Sequence, residues 1–404
     1  MRRGRYVVAL GLMLVAVAIG CLLHGCGTAG ALTPTTHWSA LRVSDSGRGQ
    51  FPPEWFGQLK FTDAKHGWLL VGTDAQVVRG PASMHGAEVT IYRGGRLLRT
   101  ADGGNSWQSA WHSAWAGVQA IDLLRNAVGW LSFDTRGGDS VVWRTLDGGA
   151  TWIRNRPQDI SVVDLCAISD KEAWGIADGG AGPVHSLDGG ASWKWVDLPR
   201  GVATKDCQAV FFADARHGWI VGYHGQAVGL QSFLVLRTQD GGKTFAVARA
   251  PVVSVNGPEF RIHFRNLSEG WIAFGGSSLL HSVDGGRTWQ VVTPVIRGLR
   301  DEIHLVDCAF PTAVDGWAVG DVDDRQALAI RTRDRGKTWT REETGAEDTT
   351  DAPPRPAAFW ETRLERVAFS DTRHGWIIGS GWYLPPGGAP NRLRDTNFIL
   401  KYVP

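Results

Sequence analysis

The sequence predicts an all-β protein, a seven-bladed β-propeller of four-stranded antiparallel blades closed by its own N-terminal strand. Three observations predict it. A "DGG"-type box recurs at Asp102, Asp147, Asp188, Asp240, Asp284 and Asp334 at spacings of 41 to 52 residues. A second series, out of phase with the first, sets Trp68, Trp130, Trp174, Trp219, Trp271, Trp317 and Trp376 at the head of short apolar runs such as "GWLLVG" and "GWIIG". Composition agrees: 52 Gly and 20 Trp in 404 residues, with 20% charged, suit many short strands and tight turns.

Each repeat supplies four strands. Strand A holds apolar residues nine and seven positions before the Trp, as at Leu59/Phe61, Val210/Phe212 and Val367/Phe369. Apolar residues two apart lie on one face of a strand. Strand B starts at the Trp, strand C runs into the box, and strand D leaves from the box Trp, replaced once by Phe245. Four strands repeating every 40 residues or so is the pattern of a propeller.

Seven A–B pairs face only six boxes. The last unit stops at "NFILKYVP", Asn397–Pro404, which supplies strand C and no D. "HWSALRV", His37–Val43, can supply the missing strand, with Trp38 in the place of a box Trp. Closing the ring in this way removes the exposed sheet edges.

The box reads as a structural turn. Its Asp can accept backbone N–H bonds from its own turn, and its Gly supplies positive φ. The Ser or Thr on either side can add local bonds. One carboxylate per box is too few oxygens for a cation, and no metal or other cofactor is expected.

The N-terminus is a separate element. Arg2, Arg3 and Arg5 precede an apolar run from Tyr6 to Leu23, as in a secretory signal. "LHGC", Leu23–Cys26, resembles a bacterial lipoprotein cleavage box, which implies lipid on Cys26 and loss of residues 1–25. The competing readings are an uncleaved membrane anchor and an ordinary secretory signal. All three place the folded part outside the cytoplasm, with residues 26–36 as a tether and 37–404 as the propeller.

Losing residues 1–25 leaves 39 of the 42 basic residues against 40 acidic ones, a formal charge of −1. Such a balance gives no footprint for nucleic acid. Cys166, Cys207 and Cys308 show no metal-binding spacing; they read as small buried residues, with a Cys166–Cys207 disulfide as the alternative.

With strands, box and "DARHGWIVG", "DTRHGWIIG" and "RTQDGGKTF" in view, the chain resembles Asp-box (bacterial neuraminidase) repeat proteins and, more closely, the photosystem II assembly and stability factor family. That resemblance implies a seven-bladed propeller on the lumenal or periplasmic side of a membrane. It does not imply photosynthesis. Sialidases also carry the box, but they need an arginine triad, a Tyr nucleophile with a Glu, and "FRIP" before the boxes. Here "FRIH", Phe260–His263, follows four boxes and falls on a strand A. Polysaccharide hydrolases with these boxes use two propellers, and this chain has one.

Loop length locates a partner surface. The long insertions are Thr73–Gly95, Arg341–Thr362 and Ser380–Asp395, all at the end of the blades away from the boxes and all in units 6, 7 and 1. Loops gathered on one face of a rigid ring are where binding usually sits. Phe359, Trp360, Trp382, Tyr383, Arg392 and Arg394 are the candidate contacts, since aromatics and Arg often anchor interfaces. The competing reading is that they cover the seam of the ring.

Two further sets have bland and functional readings. Strand-A residues of the other parity, including Lys60, Asp122, Asp164, Arg261, His263, Asp307 and Arg366, read as an ion-paired channel lining rather than a metal site. A basic residue before each box (Arg99, Arg144, His185, Arg237, His281, Arg331) reads as a stem lying over the next Trp, with a basic rim as the alternative. The function expected is that of a non-enzymatic, monomeric, lipid-anchored scaffold binding a membrane or envelope protein complex. A glycan-binding or glycan-hydrolysing envelope propeller is the alternative.

Overall fold

A computed structural model describes residues 38–41, 55–79, 88–113, 117–125, 127–134, 140–155, 160–178, 181–224, 229–255, 260–297, 299, 302–323, 326–344, 359–383 and 394–404. The signal segment, Cys26 and Arg392 lie outside them. Seven antiparallel sheets form, each in the order A-B-C-D. Blade 1 comprises Trp55–Phe61, Gly67–Arg79, Glu88–Thr100 and Gln108–Ser113. Strands A of successive blades touch one another around the ring, blade 7 to blade 1 included, so they line its centre.

Blade 7 is assembled from both ends of the described chain. Phe359–Phe369, Gly375–Tyr383 and Arg394–Tyr402 are its strands A, B and C. Trp38–Leu41 pairs with the last of these, Trp38 opposite Tyr402. Blade 4 departs from the expected four strands: Val252–Val255 adds a fifth, paired to Gly229–Ser232. Outer strands in blades 2 and 3 shrink to two residues each, Ile153–Arg154 and Lys194–Trp195, which leaves little edge for another chain to pair with.

The core is a ring of junctions. Buried apolar side chains among the described residues form seven clusters, one at each contact between neighbouring blades. The strand-B Trp is the central piece. Trp271 is sandwiched between His281 of its own blade, ring centroids 3.8 Å away, and Phe310 of the next blade, at 4.0 Å. The box Trp of that next blade, Trp339, meets Phe310 edge-on. Some strand-B Trp also donate across the junction, as Trp219 Nε1 does to the carbonyl of box residue Gly285 at 3.1 Å.

This packing explains the glycine in "GW". A Cβ on Gly67, Gly218, Gly270, Gly316 or Gly375 would stand 2.1 to 2.5 Å from the strand-A Phe of the same blade. Blade 3 is the exception that fits: Ala167 replaces that Phe, and Ala173 replaces the Gly.

Candidate functional site

At the end of the blades away from the boxes, the described parts of the long insertions in blades 1 and 7 continue their strands. Strands B and C of blade 1 continue as a ladder from Thr73 opposite Gly94 to Arg79 opposite Glu88. Blade 7 does the same on three strands. Tyr383 is the register partner of Phe359 on one side and of Arg394 on the other. Trp382 pairs with Glu361 and Asp395, and Trp360 falls at the register shift between Phe359 and Glu361. Five of the six candidate contacts therefore sit on one three-stranded extension of blade 7, the blade that closes the ring.

The opposite face carries the boxes, and their geometry is internal. In blade 1, Asp102 Oδ1 accepts the Ser106 amide and the Thr100 hydroxyl, and Oδ2 accepts the Ser106 hydroxyl at 2.6 Å. Thr100 Oγ1 in turn accepts the Gly104 amide at 2.9 Å. The same bonds recur at Asp147, Asp188, Asp240, Asp284 and Asp334. The Ser106 hydroxyl, against a small burial cost, holds the Asp102 carboxyl down at about 2. Each box is also tied to the A–B turn of its own blade, as by the Gly103 amide on the Lys65 carbonyl at 2.9 Å.

Those A–B turns hold a feature that the motif reading missed. The residue five before the strand-B Trp caps its turn in six blades. Asp63, Ser169, Asp214, Asn266, Thr312 and Asp371 each accept the amides of the second and third residues after them. The signal was present as a column of Asp, Asn, Ser and Thr, the side chains that favour such turns. Where the residue two before the Trp is His, it bonds back to the capping Asp, as His66 does to Asp63. Where it is acidic, it takes the basic residue of strand C instead: Glu172 with His185, Glu269 with His281 and Asp315 with Arg331.

Those basic residues lie beside the strand-B Trp of their own blade rather than over the next Trp, and two of them also reach the neighbouring blade, Arg144 at the Asp170 carbonyl and Arg331 at the Tyr402 hydroxyl. Arg99, Arg144, His185, Arg237, His281 and Arg331 are the register partners of the strand-B Trp within each sheet. His185 stacks on Trp174 at 3.9 Å, and Arg331 lies 4.4 Å over Trp317.

In the centre, polar strand-A side chains bind the neighbouring blade. Gln58 Oε1 accepts the Ile121 amide, Asp164 Oδ2 the Val210 amide and Asp307 Oδ2 the Val367 amide. Two residues further along, Asp122 accepts the Ala167 amide and Cys166 Sγ the Phe212 amide. Strand A is the inner edge of every sheet, so these bonds satisfy amides that no ladder reaches. Lys60 pairs with Asp122 at 2.5 Å, its own side chain still 47% exposed within the channel. Burial pushes Asp164 up to about 6 against the pull of the Val210 amide and Arg261, and holds His263 down at about 4. Among the described residues no three His, Cys, Asp or Glu side chains are placed to hold a metal. Cys166, Cys207 and Cys308 are buried free thiols, so the disulfide alternative is not realised. Burial pushes the Cys207 thiol up to about 12.

Comparisons with known proteins agree with this architecture. Residues 191–295 match the family described as "Photosynthesis system II assembly factor YCF48". The chain is similar to the photosystem II assembly factors. It is 25% identical over 224 residues to the photosystem II stability/assembly factor HCF136 of Arabidopsis thaliana, a match covering 54% of this chain and 47% of that one. The chain thus spans about half the length of that relative. Two solved structures share the fold at 16% identity and a TM-score of 0.57. One is described as YCF48 bound to D1 peptide, covering 93% of this chain and all of that one. The other is YCF48 from Cyanidioschyzon merolae, covering 91% and 98% respectively.

Proposed function

We propose that this protein is a non-enzymatic scaffold that binds another membrane or envelope protein, in the manner of an assembly factor. Its contact surface is the strand extension of blades 7 and 1, with Phe359, Trp360, Trp382, Tyr383 and Arg394 as anchors, joined by Arg392, which lies outside the described residues. The observation that carries the reading is the register that sets Phe359, Tyr383 and Arg394 side by side beside the closure of the ring. Three strands extended in ladder form give a stiffer platform than open loops, which lowers the entropy lost on binding. The similarity to a YCF48 solved with a D1 peptide supports a protein partner. The scaffold is exported as a monomer, loses residues 1–25 and is held at the membrane by lipid on Cys26.

The test is affinity capture of the tagged full chain from mild-detergent membranes, beside a chain lacking residues 345–358. A specific membrane protein should be enriched by the first and reduced with the second. Binding to a glycan array with no protein enriched would contradict the scaffold. Cys26→Ser should release the chain from the membrane; retention there would favour an uncleaved anchor.

A further inference from the structure

On the box face, away from the surface just described, a cleft of about 630 Å³ opens between the turns of blades 1 and 2. Trp68, Arg99 and Arg125 line it together with Asp63, Asp102 and Asp147. Two departures meet there, the first shared with blade 4, where Asp214 engages His217, and with blade 2, where Val128 holds the position two before the strand-B Trp. The first concerns Arg99. The equivalent basic side chain in blades 3, 5 and 6 is met by a carboxylate of its own turn, Glu172, Glu269 or Asp315. In blade 1 that position is His66, already engaged by Asp63. Among the described residues the Arg99 side chain makes no hydrogen bond or ion pair.

The second departure is Arg125. It occupies the position where the other six blades carry a turn-capping oxygen. Its own turn is instead closed through Ala127 at a φ of 67°. The freed guanidinium is exposed and donates Nη2 to the Ser370 carbonyl of blade 7 at 3.2 Å. A guanidinium has five N–H donors in a flat fork, so one such bond leaves most of them available.

The carboxylates in the cleft are committed elsewhere. Asp102 and Asp147 hold both oxygens on donors of their own boxes. Asp63 holds its oxygens on Lys65 and His66. The cleft therefore offers guanidinium donors and lacks the carboxylate that three sister blades supply internally. We infer that it binds a ligand carboxylate, taken by Arg99 and Arg125 as Arg331 takes Asp315 within blade 6. Forked guanidinium–carboxylate pairing gives both strength and direction. The carboxylate comes from an acidic side chain of a protein segment or from a small dicarboxylic acid.

The experiment follows the thermal midpoint of the full chain against glutarate, and against a capped tripeptide with a central Glu or Gln, at matched ionic strength. Glutarate or the Glu peptide should raise the midpoint, and the Gln peptide should not. A response to glutarate assigns a small acid; a response to the Glu peptide alone assigns a protein segment. Arg99→Gln and Arg125→Gln should each weaken binding roughly tenfold or more. Arg125 is exposed, so its variant folds even if the Arg99 variant does not. Arg237→Gln, the equivalent change in blade 4, should keep the response. No response in the wild type, or one that survives Arg125→Gln undiminished, overturns the assignment.

Discussion

Trp38 stands edge-on to Phe369, ring centroids 6.1 Å apart at 79°. The box Trp of complete blades adopt the same pose, Trp107 on Phe61 at 6.2 Å and 78°, and Trp289 on Phe264 at 5.8 Å and 87°. A residue from the start of the folded region thus performs the packing of a box that blade 7 does not have. Trp38 is only 3% exposed, so removing its ring empties a closed junction. Trp38→Ala should cost about 3–5 kcal/mol, with Trp38→Phe much milder. Denaturant melts of the two variants check this, and an unchanged midpoint for Trp38→Ala would mean that the ring is closed by other contacts.

Gly218 and Phe212 form a second coupled pair. A Cβ at Gly218 would lie 2.4 Å from the Phe212 ring. Gly218→Ala should destabilise by about 1–3 kcal/mol through overpacking. Combined with Phe212→Ala, which reproduces the Ala167/Ala173 pair of blade 3, the added methyl should cost little. A double-mutant cycle measures the coupling, and strict additivity would refute the steric account.

Most of the blade was legible because its chemistry is local and repeated. The Trp spacing, the box and the shortfall of one box against seven strand pairs located every blade and the split one. Other features depend on what lies across a junction. That Asp164 serves Val210, or that Arg144 reaches the Asp170 carbonyl in the next blade, needs the radial placement of strands that a linear pattern does not carry. The turn caps were legible in principle, as a column of Asp, Asn, Ser and Thr. That column varies in residue type from blade to blade, whereas the Trp five positions on does not. The fifth strand of blade 4 carries no motif; "VVSV" reads as any short apolar run.

The channel carboxylate Asp164 should give an unusual pH response. Its folded-state pKa is raised to about 6, above the unfolded value of 3.8. The folded state therefore holds its proton longer, and this group's contribution is most favourable below pH 3.8 and declines as pH rises through about 6. Asp164→Asn keeps an oxygen for the Val210 amide and removes the buried charge. It should stabilise the protein by about 1–3 kcal/mol at pH 7.5, with the gain vanishing below pH 4. A loss of stability at pH 7.5 would show that the carboxylate's attraction to Arg261 outweighs its burial.

The box carboxylates run the other way. Asp102 and Asp147 are held at about 2, below the unfolded 3.8. Their contribution is present above pH 3.8 and is lost as pH falls through about 2. Asp102→Asn should lower the thermal midpoint at neutral pH and narrow its gap to wild type in acid. Partner capture should be unaffected, because the box lies on the other face. Loss of capture with an intact fold would assign the box a binding role.

The partner surface is tested most directly by site-specific photocrosslinking in cells. A photoreactive phenylalanine analogue replaces Tyr383 in one chain, and Gln239, on the box face, in another. Crosslinks to one membrane or envelope protein from position 383, and none to that protein from 239, are the expected result. Crosslinks to that partner from 239 alone, or the same pattern from both positions, would contradict the placement of the partner on blades 7 and 1.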